Sequence, residues 1–153
     1  MEISFMSKKK MVNGAGGEDI WYSEYVDGAF QTPAPVPSVS SISDEFNAFI
    51  DPSEQYIYFG SFGRPDGNGG GDIYISRKQG GNWSTPQNLG SQVNSTSLDF
   101  SPFVSPDGKY LFFTSSRGNG SIQHSGNPFD LNTVISSILT PGASGSDIYW
   151  VKR

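Results

Sequence analysis

Apolar and polar residues alternate along most of this chain in short runs. Gly, Pro, Asn and Asp cut the runs apart, which is the pattern of half-buried strands joined by turns. Strands are predicted over Ile3–Ser7, Asp19–Tyr25, Phe46–Ile50, Gln55–Gly60, Ile73–Arg77, Phe100–Val104, Lys109–Thr114 and Ile148–Lys152. Ala34–Val36 is a weaker edge strand, because proline cannot donate to a ladder. Lys8–Gly17 reads as a polar loop and Val26-Asp27-Gly28 as a turn. Asp51-Pro52-Ser53-Glu54 and Ser105-Pro106-Asp107-Gly108 close two hairpins, with Pro preset for the first corner. One segment departs from alternation. Leu131, Val134, Ile135, Ile138 and Leu139 fall at i, i+3, i+4, i+7 and i+8, one face of a helix. Asp130 serves as its N-cap and Thr140-Pro141-Gly142 stops it, so a short helix is predicted over 130–139, lying on the sheets.

The strand pattern repeats. Phe46-Asn47-Ala48-Phe49-Ile50-Asp51-Pro52 returns 54 residues later as Phe100-Ser101-Pro102-Phe103-Val104-Ser105-Pro106. Asp19-Ile20-Trp21 returns as Asp72-Ile73-Tyr74 after 53 residues, and again as Asp147-Ile148-Tyr149. Phe30-Gln31-Thr32-Pro33 returns as Trp83-Ser84-Thr85-Pro86. A fixed period of this size marks units that each bury a face against their neighbours. Each unit reads as four strands: an inner strand, its hairpin partner, a third strand and a weak outer one such as Gln87–Leu89. Four antiparallel strands per unit make a propeller blade. The chain divides into a partial blade over 1–36, a blade over 37–89, and a blade over 90–153 carrying the helical insertion.

Composition narrows the classes of function. The 21 aromatic residues (11 Phe, 7 Tyr, 3 Trp) supply a core despite an apolar fraction of only 35%. With no Cys, disulfides, thiolate metal sites and cysteine nucleophiles are excluded. A net charge of −5 argues against nucleic acid or an anionic membrane as partner, since phosphate contacts need clustered Lys and Arg. The one basic run, Lys8-Lys9-Lys10, reads as a solvated turn. No apolar run is long enough to span a bilayer. Nor is there a signal-peptide pattern, because Glu2 comes first and the lysines follow the apolar stretch.

The segments "SPFVSPDGKYLFFTSSRG", "GGGDIYISRKQGGNWSTPQNLG" and "GSDIYWVKR" resemble the TolB-like β-propeller repeat. The likeness covers nearly the whole chain. It implies an all-β fold of propeller blades, and similarity to exported bacterial propeller proteins of unknown function, hence a periplasmic or extracellular location. Members of this kind often carry a helical insertion in the last blade, where Asn127–Leu139 stands here. Closed propellers have roughly 4–8 blades. This chain holds about 2.8 units, so it reads as the C-terminal blades of a longer propeller, or as one of several chains completing a ring. An open wedge of blades exposes faces and edges.

Four groups of residues are candidates for chemistry. Asp44, Glu45 and Asp99 precede the inner strands, and Arg64 and Arg117 follow the second strands. Facing a central funnel, they would form a polar rim for a glycan or peptide. The plainer alternative is that acid and arginine pair between blades, and recurrence in successive units favours it. Asp66, Asn68 and Asp72 place oxygens at alternating positions on a Gly-rich loop, which suits calcium; the plainer alternative is a turn. Ser76–Trp83 resembles the Asp-box hairpin of sialidase-type propellers, with Lys78 where the Asp should be. His124, the only histidine, lies in a Gly- and Ser-rich stretch that is a poor scaffold for a triad. The leading expectation is a non-catalytic binding or scaffold module engaging protein or glycan, with no catalytic residues assigned. The alternative is a remnant of a propeller hydrolase using a carboxylate pair from among Asp44, Glu45 and Asp99.

Overall fold

The computed structural model describes residues 16–118 and 145–153 in full and residues 2–9 as backbone. The described residues form twelve strands in three antiparallel sheets, with no helix among them. The predicted helix over 130–139, like His124, lies outside the described residues.

The first sheet holds β1 (Glu2–Lys9), β2 (Glu18–Val26), β3 (Ala29–Phe30) and β4 (Ala34–Pro35). The second holds β5 (Asp44–Ile50), β6 (Tyr56–Phe62), β7 (Asp72–Gln79), β8 (Asn82–Trp83) and β9 (Gln87–Asn88). The third holds β10 (Asp99–Val104), β11 (Tyr110–Ser115) and β12 (Asp147–Lys152). The sheets therefore have four, five and three strands rather than a uniform four. The extra pieces, β3 and β8, are two-residue strands closing hairpins at Asp27-Gly28 and Gly80-Gly81. Positive φ at all four turn residues suits the twist of tight hairpins. Lys8 and Lys9 continue β1 in register with Asp19 and Glu18, so the basic run starts inside a strand and not in a turn.

Alternation gives the middle sheet two apolar faces. Ile57, Phe59 and Tyr74 point to one side and join Ile20 of the first sheet with Val36 and Val39 of the connector. Tyr58 and Ile73 point to the other side and join Val93, Val104, Leu111 and Phe113, with Leu89 and Tyr149 packed alongside. The two cores are one interface used twice. Ile20, Val36, Val39, Ile57 and Phe59 reappear after 53 or 54 residues as Ile73, Leu89, Val93, Leu111 and Phe113. Each unit thus buries one face against the next, as the repeat requires.

The Gly-rich loops let the units approach. A Cβ on Gly69 would lie 2.5 Å from the Thr96 carbonyl carbon. Gly16, 53 residues earlier, would meet the backbone carbonyls of Ser41 and Ser43 in the same way. Gly70 N–H donates to Ser97 O (3.1 Å) and Asp99 N–H to Gly71 O (2.9 Å), tying the second sheet to the third.

Candidate functional site

The acidic and basic residues singled out from the sequence gather into two clusters of the same design, one per sheet. In the second sheet, Glu45 lies opposite Ser61 across the β5–β6 ladder, and Arg64 follows β6 by two residues. The guanidinium folds back over the hairpin. Its Nη2 donates to Glu45 Oε1 and to Val39 O, both at 2.7 Å, and its Nε donates to Ser61 Oγ at 3.0 Å. Ser41 donates to Glu45 through both its N–H (2.9 Å) and its hydroxyl (2.5 Å). The plane of Arg64 lies over the rings of Phe59 (5.4 Å) and Tyr74 (5.1 Å).

The third sheet repeats this arrangement with Asp99 in place of Glu45. Arg117 donates from Nη2 to Asp99 Oδ1 (2.7 Å) and to Val93 O, and from Nε to Ser115 Oγ (2.8 Å). Ser95 donates to Asp99 through N–H and hydroxyl. Phe113 and Tyr149 carry the guanidinium at 5.1 and 4.9 Å. The acids and arginines pair within a sheet, not between sheets. Each arginine also clamps the connector arriving from the preceding sheet, through the carbonyl of Val39 or Val93.

Glu45 and Asp99 are both fully buried. Burial pushes the Glu45 carboxyl above its ordinary value, against the hydrogen bonds from Ser41 and the charge of Arg64. Burial acts on Asp99 in the same sense, but hydrogen bonds from Arg117, Ser115 and Ser95 together outweigh it and hold that carboxyl below the usual range. Asp44 stands apart from both clusters. Its Oδ1 accepts the Glu18 N–H at 3.0 Å, joining the first sheet to the second.

Two of the three residues suggested for calcium, Asp66 and Asp72, each accept hydrogen bonds in and beside the loop through one carboxylate oxygen, while Asp72 Oδ1 is buried without a hydrogen-bond partner. Asp72 Oδ2 accepts from Asn68 N–H (2.5 Å) and Asn88 Nδ2 (3.1 Å). Asp66 Oδ1 accepts the Tyr74 hydroxyl (3.0 Å). Burial, with the Asp66 carboxylate adding to it, pushes that hydroxyl up to about 12 and keeps it a donor. Among the described residues, no group of three or more His, Cys, Asp or Glu side chains is arranged around a common cation position. Lys78, in the Asp-box-like hairpin, lies 5.7 Å over the Trp83 ring.

Two features escaped the sequence reading. The first is a bulge in each inner strand. Asn47 (φ 49°) and Ser101 (φ 51°) take the left-handed conformation, and the ladders shift register there. The bulge brings Phe46 and Phe49 to one face, which strict alternation would forbid. The phenylalanines three apart are the signal that was available.

The second is the far face of the third sheet. Phe103, Phe112 and Trp150 form a row across β10, β11 and β12, with Ile148 beside it. Ile148 is 76% exposed, Trp150 61% and Phe103 48%. A groove of about 390 Å³ runs between Ser101, Phe103, Phe112, Thr114 and Ile148. The matching row in the second sheet, Phe49–Tyr58–Ile75, is covered by the third sheet. No family model and no curated protein matches the chain.

Proposed function

We propose that the chain is a run of TolB-like β-propeller blades, exported to the periplasm or cell surface, that acts as a non-catalytic scaffold binding other proteins. One observation carries this reading. The interface that stacks the three sheets recurs at five matching core positions, and the far face of the third sheet leaves the large apolar side chains of Phe103, Ile148 and Trp150 exposed. A face of this kind fits a protein partner better than a glycan, because it is aromatic and aliphatic with few polar groups in reach. The buried Glu45 and Asp99 fit structural work: each is held by an arginine and a serine of its own unit.

The Glu45→Gln variant tests the reading. A structural role requires that its melting temperature fall, with no hydrolysis of a glycan panel to lose. A wild-type hydrolase activity that disappears in Glu45→Gln at unchanged melting temperature would overturn the non-catalytic reading and install the carboxylates as an active site.

A further inference from the structure

The face of the second sheet that carries Tyr58 and Ile73 runs outward along β7 through Ile75, Arg77 and Gln79. A cavity of about 550 Å³ opens over this stretch, with Tyr56, Thr85 and Gln87 in its walls. Backbone pairing fixes its frame. On one side of β7, Arg77 lies opposite Tyr56 in the β6–β7 ladder. On the other side β8 takes Lys78 and Gln79, and β9 takes Tyr74 and Ile75. Between them Ser84 N–H donates to Arg77 O (2.8 Å), and Arg77 N–H donates to Ser84 Oγ (3.1 Å). The β7 backbone beside the cavity therefore has no edge left for a peptide to add to, and recognition falls to side chains.

Those side chains are of two kinds. Gln79, Gln87 and Thr85 offer two carboxamides and a hydroxyl, and among the described residues none of the three groups has a hydrogen-bond partner. Arg77 offers a guanidinium, 5.1 Å from the centre of the Tyr56 ring. Arg153 does not line the cavity, but its guanidinium lies 4.8 Å from the centre of the same ring. Its N–H donates to Lys109 O at 2.8 Å, which anchors it. The chain's other two arginines pair with Glu45 and Asp99, whereas Arg77 and Arg153 have no ion pair among the described residues. Two like charges on one ring, with no acid between them, make a local positive potential in a chain of net charge −5. We propose that this cavity binds an acidic sugar, of the size and chemistry of a hexuronate unit. Arg77 takes the carboxylate in a forked pair of N–H bonds, and Arg153 adds to the field from beside Tyr56. Gln79, Gln87 and Thr85 take the ring hydroxyls, and Ile75 meets the apolar C–H surface of the sugar. The volume is that of a small-ligand site. The site is separate from Glu45 and Asp99 and from the far face of the third sheet, so it goes beyond the scaffold reading and does not depend on it.

Calorimetric titration of the full chain with sodium glucuronate, glucose and sodium acetate tests the proposal. Saturable heats are expected with glucuronate. Binding should be at least tenfold weaker for glucose, which lacks the carboxylate, and for acetate, which lacks the hydroxyls. Arg77→Gln should weaken glucuronate binding at least tenfold with the melting temperature nearly unchanged, because the side chain is exposed and has no ion pair to lose. The comparison of glucuronate with glucose needs no altered protein to fold. No saturable heat with glucuronate would overturn the proposal, as would glucose binding equally well or a folded Arg77→Gln chain binding glucuronate like wild type. Acetate binding as tightly as glucuronate would overturn the sugar in favour of any carboxylate. A tetraglutamate peptide that binds tenfold more tightly than glucuronate, and loses that binding in Arg77→Gln, would replace the sugar by an acidic protein segment. Failure here leaves the scaffold reading standing, because that reading falls only on hydrolysis abolished in Glu45→Gln.

Discussion

Arg64 and Arg117 each sit between a buried carboxylate, a connector carbonyl and two aromatic rings. Removing such an arginine leaves a carboxylate buried without its counter-charge, which costs on the order of 3 kcal/mol. In a chain of this size each kcal/mol moves the melting temperature by roughly 2–4 °C. Arg64→Ala should therefore lower it by about 6–12 °C in calorimetry. Arg117→Ala should lower it less, because its side chain is 26% exposed against 13% for Arg64 and solvent screens part of the loss. An Arg64→Ala chain that melts like wild type would show the clamp contributes nothing. The two acids also predict a pH dependence of opposite sign. Asp99 has a depressed folded value, so its stabilisation is complete above the ordinary 3.8 and is lost as pH falls through the lower folded value. Glu45 has a raised folded value, so its contribution is complete below the ordinary 4.5 and is lost as pH rises through the folded value. Melting curves between about pH 2 and 6 should show a shallower acid limb for Asp99→Asn than for wild type. An identical acid limb in the two chains would contradict the depressed value.

At the scale of elements, the Gly-rich loops and the inner-strand bulges set how closely the sheets approach. Gly69 is needed for space and Gly80 for conformation. An added Cβ on Gly69 meets backbone of the third sheet's connector, while Gly80 (φ 57°) has open space around it. Gly69→Ala should cost about 1–3 kcal/mol by overpacking, and Gly80→Ala about 1 kcal/mol by left-handed strain alone. Equal losses in denaturant titrations would mean that the interface yields to the methyl group. Much at this scale was legible in the sequence. The strands dense in aromatic and β-branched residues, β2, β5, β6, β7, β10, β11 and β12, stand where alternation placed them, with ends moved by one or two residues. Of the two-residue strands, β4 and β9 stand within the expected Ala34–Val36 and Gln87–Leu89, whereas β3 and β8 were not legible, since a pair such as Ala29-Phe30 has no period to read. Nor was the partner choice of Arg64. The chain shows an acid and an arginine 19 residues apart, but only the β5–β6 register brings them to one end of one hairpin. The candidate loop Asp66–Asp72 carries the composition of a cation site; Asp66 Oδ1 and Asp72 Oδ2 accept hydrogen bonds from Tyr74, Asn68 and Asn88, while Asp72 Oδ1 is buried without a hydrogen-bond partner. Calcium or a chelator should leave the melting curve unmoved; a rise with calcium that Asp72→Asn abolishes would establish the site.

On the scale of the whole molecule, three sheets are joined by two copies of one interface, and the far face of the third sheet exposes Phe103, Ile148 and Trp150. A stacking that works between the first and second sheets and again between the second and third offers the same geometry to a further unit on the third. A head-to-tail contact of that kind either closes a ring or extends. The face is apolar enough to drive it: covering the exposed parts of Phe103, Ile148 and Trp150 removes three large side chains from water, each contributing up to roughly 1.5–3 kcal/mol when buried completely. Light scattering over a concentration series should therefore give a mass that climbs above one chain. Ile148→Asp should return it to one chain without lowering the melting temperature, because that side chain contributes little to the fold while exposed. A single-chain mass at every concentration would sink the ring built from several chains and reserve the face for a different protein. A multi-chain mass indifferent to Ile148→Asp would place the contact elsewhere on the molecule.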